Sequence, residues 1–487
     1  MNARLQDLFI RSAEKHGALT AIREYGGNSI SYADLFTRVK EKASWLAANG
    51  TGIGCRVAIM APKSIETVVT MLAALYNGAA YIPIDTGTPK ERLLHILRNL
   101  DPQVFMAHPD HFPAEISAEQ ELIPMENELT TAFLPGEKHS ADLAFILYTS
   151  GSTGVPKGVC ITHENALAFI HWTLETFQPT ENDRFSSIAP FHFDLSVFDL
   201  YTAFASGASV LLIDEKTTKN ARLLAKALSE EKITITYATP SQFSALLHFG
   251  KTAQLDFSAL RLALFAGETF PVSNLHPLME TWKHVRFFNL YGPTETNVCT
   301  SYEIPQPPDK ERQAPYPIGK VCAQLEARIT REGELLIAGP NVTPGYWQRA
   351  DLNENAFSEI EGKRFYRTGD RVETNAAGLL VYAGRIDRMI KKRGYRIEPE
   401  EIEHALLQHP ALLEAAVIAA TDEQGYSLLH AFVSLKEDNP ATQISLREHC
   451  LGLLPGYMVP EKISILESLP KTSGGKIDFA KLKASEI

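Results

Sequence analysis

The sequence predicts an α/β protein with at least two domains, and three observations support this. Its 487 residues exceed what one hydrophobic core normally holds. Strand-like and helix-like apolar segments alternate through the first half, which is typical of parallel sheets covered by helices on both faces. From about residue 313 the segments become short strands punctuated by Gly and Pro, and charge rises at 388–396. We therefore expect two doubly wound sheets, a small β unit and a compact α+β unit.

The predicted elements follow one another with short connections. Two helical patterns, Leu5/Leu8/Phe9 and Leu35/Val39/Ala43/Leu46, flank a strand-like Ala21-Ile-Arg. The next segments are strand 57–61, helix 64–77, strand 79–83, helix 89–99, strand 103–107, helix 163–176, strand 185–190, helix 195–206, strand 208–213, helix 219–230 and strand 233–238. The small β unit includes 334–338 and 378–382, and the last hundred residues contain helix 399–408, strands 414–420 and 429–435, and helix 444–453.

Composition excludes several classes of protein. A net charge of −11 argues against binding to nucleic acid or to an anionic membrane. The five cysteines are scattered without Cys-x-x-Cys spacing, so reduced thiols in the cytoplasm are expected. The first residues contain too short an apolar run for a signal peptide. The longest apolar stretch, 68–82, is broken by Asn77-Gly78 and is interpreted as a buried helix followed by a strand.

A loop rich in Ser, Thr and Gly is the most informative stretch of the chain. It follows an apolar strand and consists of Thr149, Ser150, Gly151, Ser152, Thr153, Gly154, Val155, Pro156 and Lys157. Hydroxyl groups, free backbone N–H groups and one lysine suit a polyphosphate. The spacing is not that of a Walker A loop, which disfavours GTPases and P-loop ATPases. The alternative is an ordinary Ser/Gly turn.

Seven further motifs occur in order, at 193–198, 289–296, 333–339, 366–370, 384–387, 392–398 and 470–476. With the loop, they resemble the adenylate-forming superfamily of acyl-CoA synthetases, luciferases and nonribosomal-peptide adenylation domains. The resemblance covers nearly the whole chain. It implies a large N-terminal domain, 1–386, of two sheets and a distorted β-barrel. A small mobile C-terminal domain, 387–487, would then hinge at about Asp387.

The chemistry of this superfamily gives each motif a role. Joining a carboxylate to AMP requires attack on the α-phosphate while its charge is neutralised. Thr294 and Glu295 lie on a Gly-Pro turn, where the hydroxyl suits a phosphate oxygen and the carboxylate suits Mg²⁺; the alternative is a tight solvated turn. Asp370 suits the ribose hydroxyls, or is a turn residue bonded to its own backbone. Tyr291 offers a flat face to adenine, or belongs to the core.

The resemblance adds further ATP-binding residues and one catalytic lysine. It implies that Gly267, Glu268 and Thr269 line the adenine pocket and that Arg385 contacts the nucleotide. Asn289 and Gly292 are also expected to bind ATP. Lys476 follows Ser473-Gly-Gly, a flexible lead that would let its cation bridge the substrate carboxylate and the phosphate. The alternative is a solvated lysine like those nearby. ATP and Mg²⁺ are the expected cofactors.

Three function classes remain: an amino-acid adenylating ligase that loads a carrier protein, an acyl-CoA synthetase, and a nucleotide-binding relic without catalysis. The relic is disfavoured because no phosphate, ribose or lysine position is missing. Asp194 separates the first two, because a carboxylate in an apolar pocket needs a cationic partner such as an α-ammonium group. The alternative is that Asp194 caps a helix.

The predicted substrate pocket is small and mostly apolar. By resemblance it comprises Phe193, Asp194, Leu195, Phe198, Tyr237, Leu264, Ala266, Leu290, Val298 and Cys299. The bulky side chains favour a small apolar amino acid. The set is similar to that of stand-alone prolyl-AMP ligases of natural-product pathways, so L-proline is expected, with alanine or valine as alternatives. The chain ends eleven residues after Lys476, so we expect transfer to the phosphopantetheine thiol of a separate carrier protein.

Overall fold

The computed structural model of the protein describes residues 3–119, 123–124, 130–133, 143–151, 155–421, 427–436, 441–472 and 477–484. The chain divides into two units. Unit 1 comprises Met1–Thr86, Leu100–Leu147 and Gly158–Gly384, and unit 2 comprises Gly87–Asn99, Tyr148–Lys157 and Arg385–Ile487. The predicted domain division after residue 386, with a pivot at Asp387, stays a prediction.

The helices begin and end as follows: α1 (Leu5–Lys15), α2 (Tyr32–Ala48), α3 (Ile65–Tyr76), α4 (Lys90–Leu100), α5 (Ala114–Glu119), α6 (His163–Phe177), α7 (Leu195–Val197), α8 (Ala203–Ser206), α9 (Glu215–Thr218), α10 (Ala221–Glu230), α11 (Pro240–Phe249), α12 (Val272–Thr281), α13 (Ala350–Ala356), α14 (Pro399–Leu407), α15 (Gln443–Leu453) and α16 (Phe479–Ala484).

The strands are β1 (Thr20–Glu24), β2 (Ser29–Ser31), β3 (Arg56–Met60), β4 (Ala80–Pro83), β5 (Val104–Ala107), β6 (Ile123–Pro124), β7 (Thr130–Phe133), β8 (Leu143–Thr149), β9 (Lys157–Thr162), β10 (Arg184–Ser187), β11 (Ser209–Leu212), β12 (Ile235–Ala238), β13 (Leu262–Phe265), β14 (Arg286–Tyr291), β15 (Thr300–Ile304), β16 (Lys320–Val321), β17 (Glu326–Ile329), β18 (Glu334–Ala338), β19 (Gly345–Tyr346), β20 (Phe357–Ile360), β21 (Lys363–Thr374), β22 (Leu380–Arg385), β23 (Ile390–Lys392), β24 (Tyr395–Ile397), β25 (Leu412–Thr421), β26 (Ser427–Leu435) and β27 (Lys462–Leu466).

Two large sheets form most of unit 1. Among the described strands, one sheet has the order β16-β15-β14-β13-β12-β10-β11-β1-β2, and the other has the order β19-β9-β8-β4-β3-β5-β7-β6. In the first sheet β1 and β10 to β14 are parallel. In the second sheet β3, β4, β5 and β8 are parallel. Helices connect the parallel strands, so the predicted α/β class with doubly wound sheets is confirmed.

Antiparallel strands complete these sheets, and the sequence analysis did not predict them. The pairs β1–β2, β14–β15, β15–β16 and β5–β7 are antiparallel. A third sheet, built from β17, β18, β20, β21 and β22 in the described chain, stands where the resemblance implies a distorted barrel. The stretch 239–312, for which no elements were predicted, contains α11, β13, α12, β14 and β15.

Local chemistry explains where α11 begins. Thr239 follows β12 with extended backbone, and its hydroxyl accepts a bond from the Gln242 N–H group, while Gln242 reciprocates toward the Thr239 N–H group. Pro240 occupies the first turn, where its missing N–H group costs nothing. This reciprocal capping fixes the point at which strand β12 turns into a helix.

The predicted helix 195–206 is present but not regular. It consists of α7, a π-helical turn at Phe198–Thr202 and α8. Gly207 ends it in the left-handed conformation, with φ of +75°. A π turn widens the helix by one residue and is frequent at functional sites. Because it changes which side chains share a face after Phe198, the regular spacing predicted from sequence does not hold there.

Unit 2 contains a compact α+β core. Among its described strands, β25, β26 and β27 form one sheet, and β23 pairs with β24. Helix α14 contributes Ile402 and Leu406 to the core, where they join Val417, Val433 and Ile463. The charged run Lys391 to Arg393 is typical of a solvated face, but Lys392 is buried and forms an ion pair with Glu461 at 2.5 Å. Within the described chain we find no helix long and apolar enough to span a membrane.

Trp282 anchors the core beneath α12. It is almost fully buried and contacts the rings of Phe243, Phe257 and Phe287. We expect Trp282→Ala to lower the free energy of unfolding by about 3–5 kcal/mol, because the cavity would lack partner atoms on several sides. Urea unfolding followed by far-UV circular dichroism measures this. Phe249→Ala is the matched control, since that ring is 63% exposed and its loss should cost less than about 0.5 kcal/mol. Equal losses in both variants would contradict this description of the core.

Candidate active site

Asp194 lies at the start of the irregular helix in unit 1. Its backbone is helical, with φ of −64° and ψ of −23°, and its side chain makes no capping bond. A capping aspartate has extended backbone and accepts a bond from the first helical turn. The alternative that Asp194 serves as a helix cap is therefore wrong. The carboxylate instead accepts a hydrogen bond from the Thr294 side chain.

The surroundings of Asp194 disfavour a negative charge. Burial among protein atoms raises the pKa of this carboxyl to about 6, with the hydrogen bond from the Thr294 hydroxyl acting against that rise and the nearby Glu295 adding to it. The structure thus brings Asp194 next to Thr294 and Glu295, which lie a hundred residues later in the chain. A carboxylate in this position gains stability from a cationic ligand.

The predicted apolar wall comes from adjacent parallel strands. Tyr237 on β12 is paired in register with Leu264 on β13, and Leu290 lies near the carboxyl end of β14. Phe198 contacts Tyr237 edge to face, with ring centroids 5.5 Å apart. The predicted wall residues that are buried are Leu195, Phe198, Tyr237, Leu264, Ala266, Leu290, Val298 and Cys299. Phe193 is partly buried.

Tyr237 connects this wall to the acidic groups. Burial raises the pKa of its hydroxyl well above the usual value, and the charges of Asp194 and Asp199 raise it further. The Tyr237 hydroxyl therefore stays protonated. It is close enough to the carboxyl groups of Asp194 and Asp199 to interact with them electrostatically. The wall is apolar except at this point.

A second pair of predicted residues is joined by a hydrogen bond. The Tyr291 hydroxyl donates to Asp370 Oδ2 at 2.6 Å, and both side chains are buried. Tyr291 ends β14, whereas Asp370 lies on β21. The bond orients the carboxylate, which has acceptor capacity for more than one donor. This suits a carboxylate that accepts hydrogen bonds from a diol.

The segment after β13 has a structural role that the sequence analysis missed. Gly267 has a φ of +92°, in the region that favours glycine. Glu268 accepts bonds from the Ser241 N–H group, at 3.1 Å, and from the Ser241 hydroxyl, and so braces the first turn of α11. Thr269 is exposed. Asn289 donates to the Pro317 carbonyl at 2.8 Å.

The turn that carries Thr294 and Glu295 is closely packed. A Cβ at Gly292 would overlap the Asn297 carbonyl oxygen, so only glycine fits there. Glu295 is fully buried, and its Oε1 accepts a 2.6 Å hydrogen bond from the Tyr346 hydroxyl. Tyr346 was not predicted from the sequence, because it is 51 residues from Glu295 and no motif spacing marks it.

The position of Glu295 is compatible with a Mg²⁺ site that has a single protein carboxylate. In the described part of the chain, no three or more His, Cys, Asp or Glu side chains come together as a metal cluster. Mg²⁺ in nucleotide-dependent enzymes is commonly held by one or two carboxylates plus the phosphates of the substrate. A buried carboxylate with one oxygen already oriented by a tyrosine meets that requirement.

A half-buried lysine bonds to the segment that leads to Asp194, and it too was missed. Lys63 Nζ donates to the carbonyl oxygens of Ser187 and Ala189 at 2.8 and 2.6 Å. Burial lowers the pKa of this lysine to about 7, although the charges of Asp199 and Asp214 act in the opposite direction. These bonds fix the backbone at the carboxyl end of β10.

The remaining predicted residues belong to unit 2. A Cβ at Gly151 would overlap the Val155 carbonyl oxygen, so the loop requires glycine there. Ser150 and Lys157 are buried, and Thr149 is half-buried. Arg385 Nε donates to Asp387 Oδ1 at 2.7 Å, and a second bond makes the pair bidentate. Ser152, Thr153, Gly154 and Lys476 lie outside the described residues.

Comparisons with known proteins agree with this arrangement. Residues 9–347 match the family of AMP-binding enzymes, and residues 401–476 match the C-terminal domain of AMP-binding enzymes. A protein of Pseudomonas fluorescens named L-proline–(L-prolyl-carrier protein) ligase is 36% identical, over 97% of this chain and 97% of its own. A Streptomyces coelicolor protein of the same name is 34% identical, over 97% of this chain and 94% of its own.

A solved structure, the crystal structure of IdnL1, superimposes with a TM-score of 0.84 at 25% identity. The match covers 96% of this chain and 99% of that one. The predicted resemblance to the adenylate-forming superfamily is confirmed, and this chain belongs to the AMP-binding enzymes.

Proposed function

We propose that the protein activates L-proline with ATP and transfers the prolyl group to a separate carrier protein. In the first step a carboxylate oxygen of proline attacks the α-phosphorus of ATP, the bond to pyrophosphate breaks, and prolyl-AMP forms. In the second step the phosphopantetheine thiol of the carrier, as thiolate, attacks the prolyl carbonyl and AMP leaves. The thiol proton passes to solvent. The product is a prolyl thioester.

The observation that carries this proposal is the position of Asp194. The carboxylate adjoins an apolar wall, and its raised pKa means that a bound cation stabilises it. An α-ammonium group is that cation, whereas a fatty or aryl acid brings none. An amino acid is therefore favoured over the substrates of acyl-CoA synthetases.

Proline fits the wall that accompanies Asp194. Its ring is compact and apolar, and its secondary ammonium has two N–H bonds, which one carboxylate can accept. Phe198, Tyr237 and Leu290 are bulky and leave room for a small side chain. The names of the two bacterial relatives support the same substrate.

The nucleotide would be held by residues of several motifs. Asp370, oriented by Tyr291, would accept the ribose hydroxyls, and Thr294 would donate to a phosphate oxygen. Glu295 would hold Mg²⁺, which supplies positive charge to the phosphates when bound. By resemblance the 149–157 loop and Arg385 contact the nucleotide, and Lys476 bridges the substrate carboxylate and the α-phosphate.

The second step would require the C-terminal domain to change its position. By resemblance this domain begins near Asp387, and the superfamily uses such a movement to exchange adenylation for thioester formation. Asp387 pairs with Arg385 two residues before it, so the proposed pivot lies within a short bidentate contact. Transfer to a carrier in trans is supported by the names of the relatives.

The proposed substrate can be tested by ATP–pyrophosphate exchange with a panel of acids. Proline should give the highest kcat/KM, and alanine should be slower by about 10- to 200-fold, because it leaves a void of about two methylenes in the pocket. Valine and butyrate complete the panel. If valine, alanine or butyrate matches proline, the substrate assignment is wrong, although adenylation itself stands.

The role of Asp194 predicts a specific defect. Asp194→Asn keeps the volume but leaves the ammonium without its counter-charge, which should cost about 2–3 kcal/mol, or roughly 30- to 150-fold in kcat/KM for proline. The control measurement is ATP affinity without amino acid, which should change little. A variant that retains the proline kcat/KM of the wild type would show that the ammonium binds elsewhere.

The role of Lys476 predicts loss of chemistry with retention of ATP binding. Lys476→Ala should reduce proline-dependent exchange by about 10²- to 10³-fold, because the α-phosphate loses a cation in the transition state. ATP affinity, measured by equilibrium dialysis, should fall much less. Lys481→Ala is the matched control, since Lys481 is an exposed lysine of the same C-terminal stretch. Exchange at the wild-type rate in Lys476→Ala would remove this residue from the mechanism.

A further inference from the structure

The segment around Tyr346 is fixed against two parts of unit 1. Tyr346 pairs with Val159 on β9, and the Trp347 N–H group donates to the Gly158 carbonyl at 2.8 Å. The Thr343 N–H group donates at 2.8 Å to the backbone carbonyl of Glu295. A single short segment is thus bonded both to strand β9 and to the turn that carries Glu295.

The conformation of this segment leaves little freedom to the tyrosine. Gly345 has a φ of +140°, and a Cβ there would crowd the Asn353 side chain. Asn353 Oδ1 accepts a 2.9 Å bond from the Tyr346 N–H group. The Thr343 hydroxyl donates to the Gly345 carbonyl at 3.1 Å and to the Cys160 carbonyl. Hydrogen bonds on both sides therefore hold the backbone of Tyr346 in place. This restricts the position of its hydroxyl group.

That hydroxyl is within 2.6 Å of Glu295 Oε1. Tyr346 is 5% exposed and Glu295 is fully buried, so water competes little for the bond. A hydroxyl that donates to a carboxylate forms a short, charge-assisted bond in a low dielectric. Because a carboxylate is planar, fixing one oxygen also limits the direction of the other.

We propose that Tyr346 is a positioning residue, whose hydroxyl orients Glu295 for Mg²⁺ and thereby for the phosphates of ATP. The proposal rests on the proposed function, since it takes Glu295 as the metal carboxylate. Tyr346 would not touch the substrate. Residues that orient metal-binding groups from outside typically change metal affinity by about 10- to 100-fold when removed.

The test is ATP binding as a function of Mg²⁺ concentration, measured by calorimetry without amino acid. In Tyr346→Phe the Mg²⁺ concentration that gives half-maximal ATP binding should rise roughly 10-fold or more over the wild type. The ring and its packing remain, so a purely structural tyrosine would leave this concentration unchanged. An unchanged value in Tyr346→Phe, with normal Mg²⁺ dependence in the wild type, would overturn the proposal and leave the proposed function standing.

Tyr32→Phe is the matched control. Tyr32 is also buried, and its hydroxyl also makes a 2.6 Å bond, but to the Ala208 carbonyl. It reports the general cost of removing a buried tyrosine hydroxyl, and it should not alter the Mg²⁺ dependence. An equal shift in Tyr32→Phe would assign the effect to lost stability and overturn the proposal.

A double-mutant cycle gives an independent test. Glu295→Gln should raise the Mg²⁺ requirement by itself, and adding Tyr346→Phe to it should change that requirement by less than about 2-fold, because the oriented carboxylate is already gone. Full additivity of the two changes would overturn the proposal. Absence of any Mg²⁺ dependence in the wild type would overturn both this proposal and the metal role of Glu295.

Discussion

The parallel register of β12, β13 and β14 is the constraint on which the site in unit 1 depends. Tyr237 lies beside Leu264, and Leu264 beside Phe288, so the three strands end at one edge of the sheet. Side chains alternate between faces, so a slip of one residue would send Tyr237 and Leu264 to the opposite face. The register therefore places the apolar wall on one face and delivers the Gly292–Glu295 turn from the end of β14.

Polar groups hold the segment that leads to Asp194. Lys63 donates hydrogen bonds to the carbonyl groups of Ser187 and Ala189, which precede Asp194 in the chain. Asp199 is fully buried. Burial raises the pKa of its carboxyl well above the usual value, while the charge of Lys63 and a hydrogen bond with Ser187 act against that rise.

The sequence predicted those parts of the fold that repeat and those parts of the site that lie within one motif. The alternation of apolar strand and helix segments was enough to predict the parallel parts of the two sheets. Thr294 and Glu295 are adjacent in sequence, so one motif placed both on the same turn. Contacts between distant segments carried no such signal. Tyr291 and Asp370 are 79 residues apart, and Tyr346 and Glu295 are 51 apart, so only the folded chain shows that they are bonded. The π turn was also hidden, because the apolar pattern of 195–206 is compatible with a regular helix.

Three carboxylates of unit 1 have different neighbours, and the proposed function gives them different tasks. Asp370 and Glu295 each accept a 2.6 Å hydrogen bond from a buried tyrosine hydroxyl, which sets their orientation before any ligand arrives. Asp194 has Thr294 beside it instead, and burial raises its pKa to about 6. Because burial raises the pKa of Asp194, a bound cation stabilises its charged form. In the proposed function the oriented pair would serve the ribose and the metal-bound phosphates, whereas Asp194 would favour an acid that carries an ammonium group.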